Sequence, residues 1–259
     1  MKPPIVVDKS YAHSSNPRRL MQLAEEFTVL VPSAFFYEVA RTELEKRRKA
    51  IHAFPEFQML HILSLMRMEV ESRSPLMQID YRAHEFNPDF VSGKREFSID
   101  EEQIFEAYET GALSENMASW KQVPNCGVYG FSREEMRSVL DGSIEDFAEV
   151  CRELCRVERI REIASGLNIT VADELDGRWL YFRYLQAKFI YGLCYQRLYH
   201  AGRGNIPGNK NLEHDIHDME YLILGLHAGC LATKESQEKY QKLGWKFKLL
   251  RPDARIINL

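Results

Sequence analysis

Asp215-Ile216-His217-Asp218-Met219-Glu220-Tyr221-Leu222-Ile223-Leu224-Gly225-Leu226-His227-Ala228-Gly229-Cys230-Leu231-Ala232-Thr233-Lys234-Glu235 decides how this chain is read. Apolar residues at 216, 219, 222, 223 and 226 have the spacing of a helix with one buried face. Gly229 is placed to end that helix, and Cys230 to Thr233 then reads as a short buried strand. Acids thus stand at the start of a helix, and Glu235 stands just past the strand that the helix feeds. In an α/β fold such ends lie at the mouth of the sheet, where ligands bind.

Near the start of the chain, Ile5-Val6-Val7 is the continuous apolar run of a strand covered on both faces, and Asp8 follows at its C-terminal end. Asn16-Pro17 is a helix start, with Asn16 as N-cap and Pro17 at the first helical position. The helix is expected over 18–27. Thr28-Val29-Leu30-Val31 reads as a second strand, Pro32 stops it, and Ser33 caps a helix expected over 34–51. Strand, helix, strand, helix with short joints predicts right-handed βαβ units and an α/β fold with a parallel sheet.

The middle of the chain has a different pattern. Helices are expected over 54–72, after Ser98 and Ser132, over 143–164 and over 173–200, with no strand between 52 and 210. The glycine-rich run from His200 to Lys210 reads as a loop. After Glu235 come a short helix to 243, a strand at 246–250 and a small edge strand at 256–257. Residues 1–51 and 211–259 therefore read as one α/β domain, and 52–210 as a helical insertion.

Composition narrows the function classes. At 45% hydrophobic and 28% charged, the 259 residues have the make-up of an ordinary globular protein. A formal net charge of −4 excludes indiscriminate coating of nucleic acid but not a local basic groove. Five cysteines, an odd number, read as free thiols in a reducing compartment. Met1-Lys2-Pro3-Pro4 leads into a strand rather than a secretory signal, and no apolar run is long enough for a bilayer. A cytoplasmic protein without membrane contact is expected.

Each acid has an ordinary explanation when taken alone. Asp8 suits the start of a turn. Glu38 shares a polar stripe with residues 41, 42, 45 and 49. Asp215 and Asp218 suit the first turn of a helix, and Glu235 the start of the next one. His214 and His217 read as exposed or capping residues. Together, however, these acids come from the C-terminal ends of two strands and the early turns of two helices, so they can converge. Clustered carboxylates repel one another and cannot all ionise without a hard cation. Oxygen ligation suits Mg²⁺ or Mn²⁺, and such a site activates a water and clamps a phosphodiester for in-line attack.

The arrangement resembles the PIN domain, a family of metal-dependent ribonucleases and related nucleases. Val6-Val7-Asp8-Lys9-Ser10 is similar to the family's opening strand, its Asp and a hydroxyl two residues on. Pro32-Ser33-Ala34-Phe35-Phe36-Tyr37-Glu38 is similar to the helix carrying its Glu. Asp218 is followed at the family's spacing by an apolar helix, Gly229, an apolar strand and Thr233-Lys234-Glu235, where the family usually has Asp in place of Glu235. The resemblance covers residues 1–51 and 212–250, and departs from the family in its long helical insertion.

The resemblance implies a three-layer α/β/α fold and a ribonuclease using Mg²⁺ or Mn²⁺. Asp8, Asp218 and Glu235 would hold the metal, with Glu38 and Asp215 completing the pocket and Ser10 and Thr233 hydrogen-bonding the carboxylates. Whether Asp215 or Asp218 ligates is open at this point. RNA is the expected substrate, with Arg48, Arg203 and Lys210 as candidate phosphate contacts. A toxin–antitoxin or defence role is consistent with the family. The insertion is expected to gate access or dock a protein partner or inhibitor, and self-association is left open.

Two alternatives are carried beside it. One is an HD-type metal phosphohydrolase built on His214-Asp215, which needs further ligands such as His61, His84 or His200. The other is a non-catalytic PIN-like scaffold that binds through the insertion. Cys151 and Cys155 read as core thiols, and Tyr181, Tyr184, Tyr191, Tyr195 and Tyr199 as bundle packing.

Overall fold

The computed structural model describes residues 2–42, 57–75, 139–200 and 209–258. In chain order the opening elements are β1 (Pro4–Val7), α1 (Lys9–Ser14), α2 (Pro17–Glu26), β2 (Thr28–Pro32) and α3 (Ser33–Ala40). Then come β3 (Gln58–Leu60), α4 (Ile62–Ser72), α5 (Ile144–Leu154), α6 (Val157–Gly166) and α7 (Leu180–His200). The chain closes with α8 (Asn209–Ala228), β4 (Cys230–Ala232), α9 (Leu243–Leu250) and β5 (Arg255–Ile257).

The five strands form one sheet in the order β3-β2-β1-β4-β5, and every neighbouring pair is parallel. From β1 the chain moves to β2 and β3 in one direction, then returns to β4 and β5 in the other. The order therefore reverses between β1 and β4, and their carboxyl ends flank the crevice where an open α/β sheet receives ligands.

Helix α8 packs against β1, β2, β4, α3, α7 and α9. Ile216, Met219, Leu222, Ile223 and Leu226, its expected apolar stripe, are all buried. Each such side chain contributes about 1.5–3 kcal/mol relative to exposure. Gly229, at φ +79°, makes the turn into β4 that a side chain would strain. The guanidinium of Arg251 fills the space beside it and donates to the carbonyls of Leu226 and His227, a cation at a helix C-terminus. Phe147, Trp179, Phe182 and Leu193, from the segment 139–200, belong to the same hydrophobic core as the sheet.

Several expectations need correction. A strand, β3, lies within 52–210, at the edge of the sheet. Phe54-Pro55 ahead of it reads as a helix start, and no turn residue marks its beginning as Gly229 marks that of β4. Residues 246–250 are helical: Lys-Phe-Lys-Leu-Leu alternates over too short a span to separate the two periods. Residues 235–242 are turns instead of a helix. Helix α3 ends at Ala40, and 43–56 lie outside the described residues. The expected helix over 143–164 is two, α5 and α6, broken at Cys155 and Arg156. That over 173–200 is a 3₁₀ turn, Ala172–Glu174, followed by α7. The helices expected after Ser98 and Ser132 begin outside the described residues.

Candidate functional site

Asp8 is the N-cap of α1, in extended backbone conformation, and it is buried. Its Oδ1 accepts the Ser10 N–H at 2.7 Å. Its Oδ2 accepts both the Ser10 hydroxyl and the Thr233 hydroxyl, each at 2.6 Å. Thr233, fully buried, follows β4, so this last bond ties the two strands at the point of reversal. Thr233 Oγ1 also accepts the Glu235 N–H at 3.0 Å, which fixes the backbone that carries the next acid. Burial, and then the charge of Glu235, push the Asp8 carboxyl above its ordinary pKa against these hydrogen bonds.

Glu38 reaches the same region from α3. The Tyr221 hydroxyl donates to its Oε2 at 2.8 Å, and Lys9 Nζ lies 3.8 Å from Oε1. Burial raises its pKa above the ordinary carboxylate value, the nearby Lys9 and Tyr221 oppose the rise, and the charge of Asp8 adds to it. His217 Nδ1 lies 3.9 Å from Glu38 Oε1 and its ring meets the edge of Tyr37. Burial, followed by His214, Lys9 and Arg41, lowers the His217 pKa to about 3, so it is a neutral neighbour.

Helix α8 supplies the other two acids. It begins at Asn209, so Asp215 and Asp218 lie beyond its first turn, where the macrodipole no longer accounts for them. Asp215 accepts a hydrogen bond from Tyr195 of α7. Asp218 is held most strongly on the protonated side: burial first, then the charges of Asp8, Asp215 and Glu38 raise its pKa well above normal. His214, largely exposed, approaches it at 3.6 Å. The geometry thus separates the two residues that sequence left equivalent. Asp218 lies within electrostatic reach of Asp8 and Glu38, while Asp215 is hydrogen-bonded by Tyr195.

Glu235 lies on the loop after β4, within electrostatic reach of Asp8. Lys242 Nζ lies 3.0 Å from its Oε2 and 3.3 Å from its Oε1. That loop is no helix start, so the ordinary explanation for Glu235 falls away too.

Four further residues shape the site without a clear sequence signal. Lys246 is 1% exposed on α9, lies 4.2 Å from the Tyr191 ring centroid, donates to the Gln241 carbonyl and offsets the charge of Asp215 and Asp218. It reads in sequence as the polar side of a strand. Tyr195 reads in sequence as bundle packing and Tyr221 carries no assignment, yet each donates to a carboxylate. Glu220 is buried and accepts the Ala34 N–H at 3.1 Å, capping α3 and so holding the helix that carries Glu38. Its signal is an acid flanked by the buried positions 219 and 223.

Other expected site residues lie elsewhere. Arg48 and Arg203 are outside the described residues, and only the backbone of Lys210 is described. Of the histidines for an HD-type centre, His61 is hydrogen-bonded to Ser33 at 2.9 Å. His84 lies outside the described residues, and only the backbone of His200 is described. Cys151, Cys155 and Cys194 are free, buried thiols, and burial raises the pKa of each. Among the described residues no helix is long and apolar enough to cross a membrane.

The donor set is all oxygen, as Mg²⁺ and Mn²⁺ require. Its members raise one another's proton affinity, so a cation among them relieves repulsion. Among the described residues no group of three or more His, Cys, Asp and Glu side chains is arranged to hold a metal ion as it stands. Lys9 and Lys242 engage two of the carboxylates that would close such a group. Comparison of the chain with models of known families, with curated proteins and with solved structures finds no match.

Proposed function

We propose that the carboxylates between β1 and β4 form a hard-cation site and that the protein is a PIN-like, metal-dependent endonuclease hydrolysing RNA. The observation that carries this reading is the Thr233 hydroxyl bound to Asp8 at the point where the sheet order reverses, with Asp218 and Glu38 near enough for the carboxylates to repel one another. Asp8 and Asp218 are the inner ligands in this reading, and Glu235 joins them. Bound Mg²⁺ or Mn²⁺ would supply Lewis acidity toward phosphate oxygens and a more acidic water.

The remaining work falls to the chain itself. Ser10 and Thr233 hold the Asp8 carboxylate in one orientation, the role of supporting hydrogen bonds behind a ligand. Tyr221 and Tyr195 do the same for Glu38 and Asp215, which orient water at the rim. Lys246 offsets repulsion between Asp215 and Asp218 from inside the fold.

The test is cleavage of single-stranded RNA with Mn²⁺ present or chelated. Cleavage by the wild-type protein, lost on chelation and in Asp8→Asn, is the expected result. Equal cleavage by wild type and Asp8→Asn contradicts the proposal.

A second reading, a PIN-like scaffold without catalysis, is favoured by the lysines that already engage Glu38 and Glu235. It requires that calorimetry detect no Mn²⁺ binding.

A further inference from the structure

We propose that Lys242 is a latch on the acidic site that becomes a phosphate-contacting residue once Glu235 turns toward a divalent cation. The inference rests on the hard-cation reading above and names the residue that couples metal loading to substrate binding.

Three features of the loop 235–242 carry it. First, Lys242 Nζ lies 3.0 and 3.3 Å from the two carboxylate oxygens of Glu235 and hydrogen-bonds only Oε1, so the ion pair holds this carboxylate by charge and competes with a cation for it. Second, the backbone of Glu235 is pinned. Its N–H donates to Thr233, and its carbonyl oxygen lies 2.7 Å from where a Cβ on Gly244 would stand, so this strip of chain lies tight against the start of α9. Only the Glu235 side chain is left to move, and it lies within electrostatic reach of Asp8.

Third, the two partners differ in exposure. The Lys242 side chain is 45% exposed and that of Glu235 19%. When the carboxylate turns inward, the lysine remains at the mouth. Lys242 is also the N-cap of α9 and makes no side-chain capping bond. A helix N-terminus favours an anion over a cation. Among the described residues the ammonium has, besides Glu235, only the charges of Asp218 and Asp215 near it, which a bound metal takes up, so an incoming negative group is its remaining counter-charge. The anion a phosphodiesterase site receives is a phosphate of its polynucleotide. Lys242 therefore competes with the metal before loading and contacts the RNA backbone after it.

The two roles give effects of opposite sign in one variant. Mn²⁺ binding is measured by calorimetry, and binding of a labelled phosphorothioate single-stranded RNA by fluorescence anisotropy with Mn²⁺ saturating. In Lys242→Met, Mn²⁺ is expected to bind about two- to five-fold more tightly, the worth of a half-exposed ion pair. RNA is expected to bind more weakly, with the slope of log affinity against log salt smaller by about 0.7, one phosphate contact on a single strand. Lys239→Met, on the same loop and exposed, controls for general charge and is expected to leave metal affinity near wild type.

Mn²⁺ affinity that is unchanged or weaker in Lys242→Met overturns the latch while leaving the metal site standing. So does an equal gain in Lys239→Met. Tighter Mn²⁺ with unchanged RNA affinity and salt slope overturns the phosphate role. Wild-type protein that binds no Mn²⁺ overturns the metal reading, and this inference with it.

Discussion

The hydroxyl of Thr233 donates to the carboxylate of Asp8 at 2.6 Å, joining residues 225 positions apart at the reversal of the sheet. The bond stitches the carboxyl ends of β1 and β4, and the same hydroxyl oxygen holds the Glu235 N–H. Two of the proposed ligands thus depend on one threonine.

Thr233→Val keeps the shape and removes both interactions. A loss of about 1–3 kcal/mol in unfolding free energy is expected, the cost of leaving buried partners unsatisfied. Thr233→Ser is expected to recover most of it. Denaturant unfolding of the three proteins checks this, and a valine variant as stable as wild type contradicts it.

Asp218 gives a pH-dependent prediction. Its folded pKa lies above the unfolded value, so the folded state binds more protons between the two. Stability from this residue is therefore present at acid pH and falls as pH rises through that window. Asp218→Asn removes the term. The variant is expected to match wild type in acid and to exceed it near neutral pH by about 1 kcal/mol, or about 2–4 °C in melting temperature. His217 and His227, lowered to about 3 and about 4, produce acid destabilisation of their own. That trend is common to both proteins and cancels in the difference. Melting curves across pH without divalent metal check the sign.

Gly244 tests how tightly the Glu235 loop is built. A Cβ there would stand 2.7 Å from the Glu235 carbonyl oxygen and 2.9 Å from that of Ser236, both backbone atoms. Gly244→Ala must displace the loop. A cost of about 1–3 kcal/mol, typical of overpacking, is expected in unfolding, together with weaker Mn²⁺ binding. An alanine variant with wild-type stability and metal affinity contradicts this packing.

Much of the frame is legible in the sequence because buried parallel strands are simple signals. Ile5-Val6-Val7 and Val29-Leu30-Val31 are fully apolar runs bounded by a helix cap or a proline. The stripe from Ile216 to Leu226 shows its period over enough turns to be read. Asp8 and Thr233 stand where those strands end. By contrast β3 follows what reads as a helix start at Phe54-Pro55, and α9 has eight residues, too few for its period to declare itself. Lys246 was illegible for the same reason, since its burial follows from α9 being a helix against α8.

The supporting tyrosines are hidden for a different reason. Tyr195 and Tyr221 are aromatic residues at helical spacing, and their rings do pack in the core. Their hydroxyls reach carboxylates only because α7 and α3 lie against α8. That is a property of tertiary contact and leaves no local trace. The ambiguity between Asp215 and Asp218 has the same origin: one helical turn apart, they differ only in what the neighbouring helices bring to each.

In the proposed site Asp8 and Asp218 share a divalent cation at the crevice between β1 and β4. Anomalous diffraction from crystals grown with Mn²⁺ tests it most directly. A manganese peak within coordination distance of both carboxylates, about 2.0–2.2 Å by analogy with Mg²⁺, is the expected result. A structure at saturating Mn²⁺ with no peak there, and Lys9 and Lys242 still on Glu38 and Glu235, would contradict it.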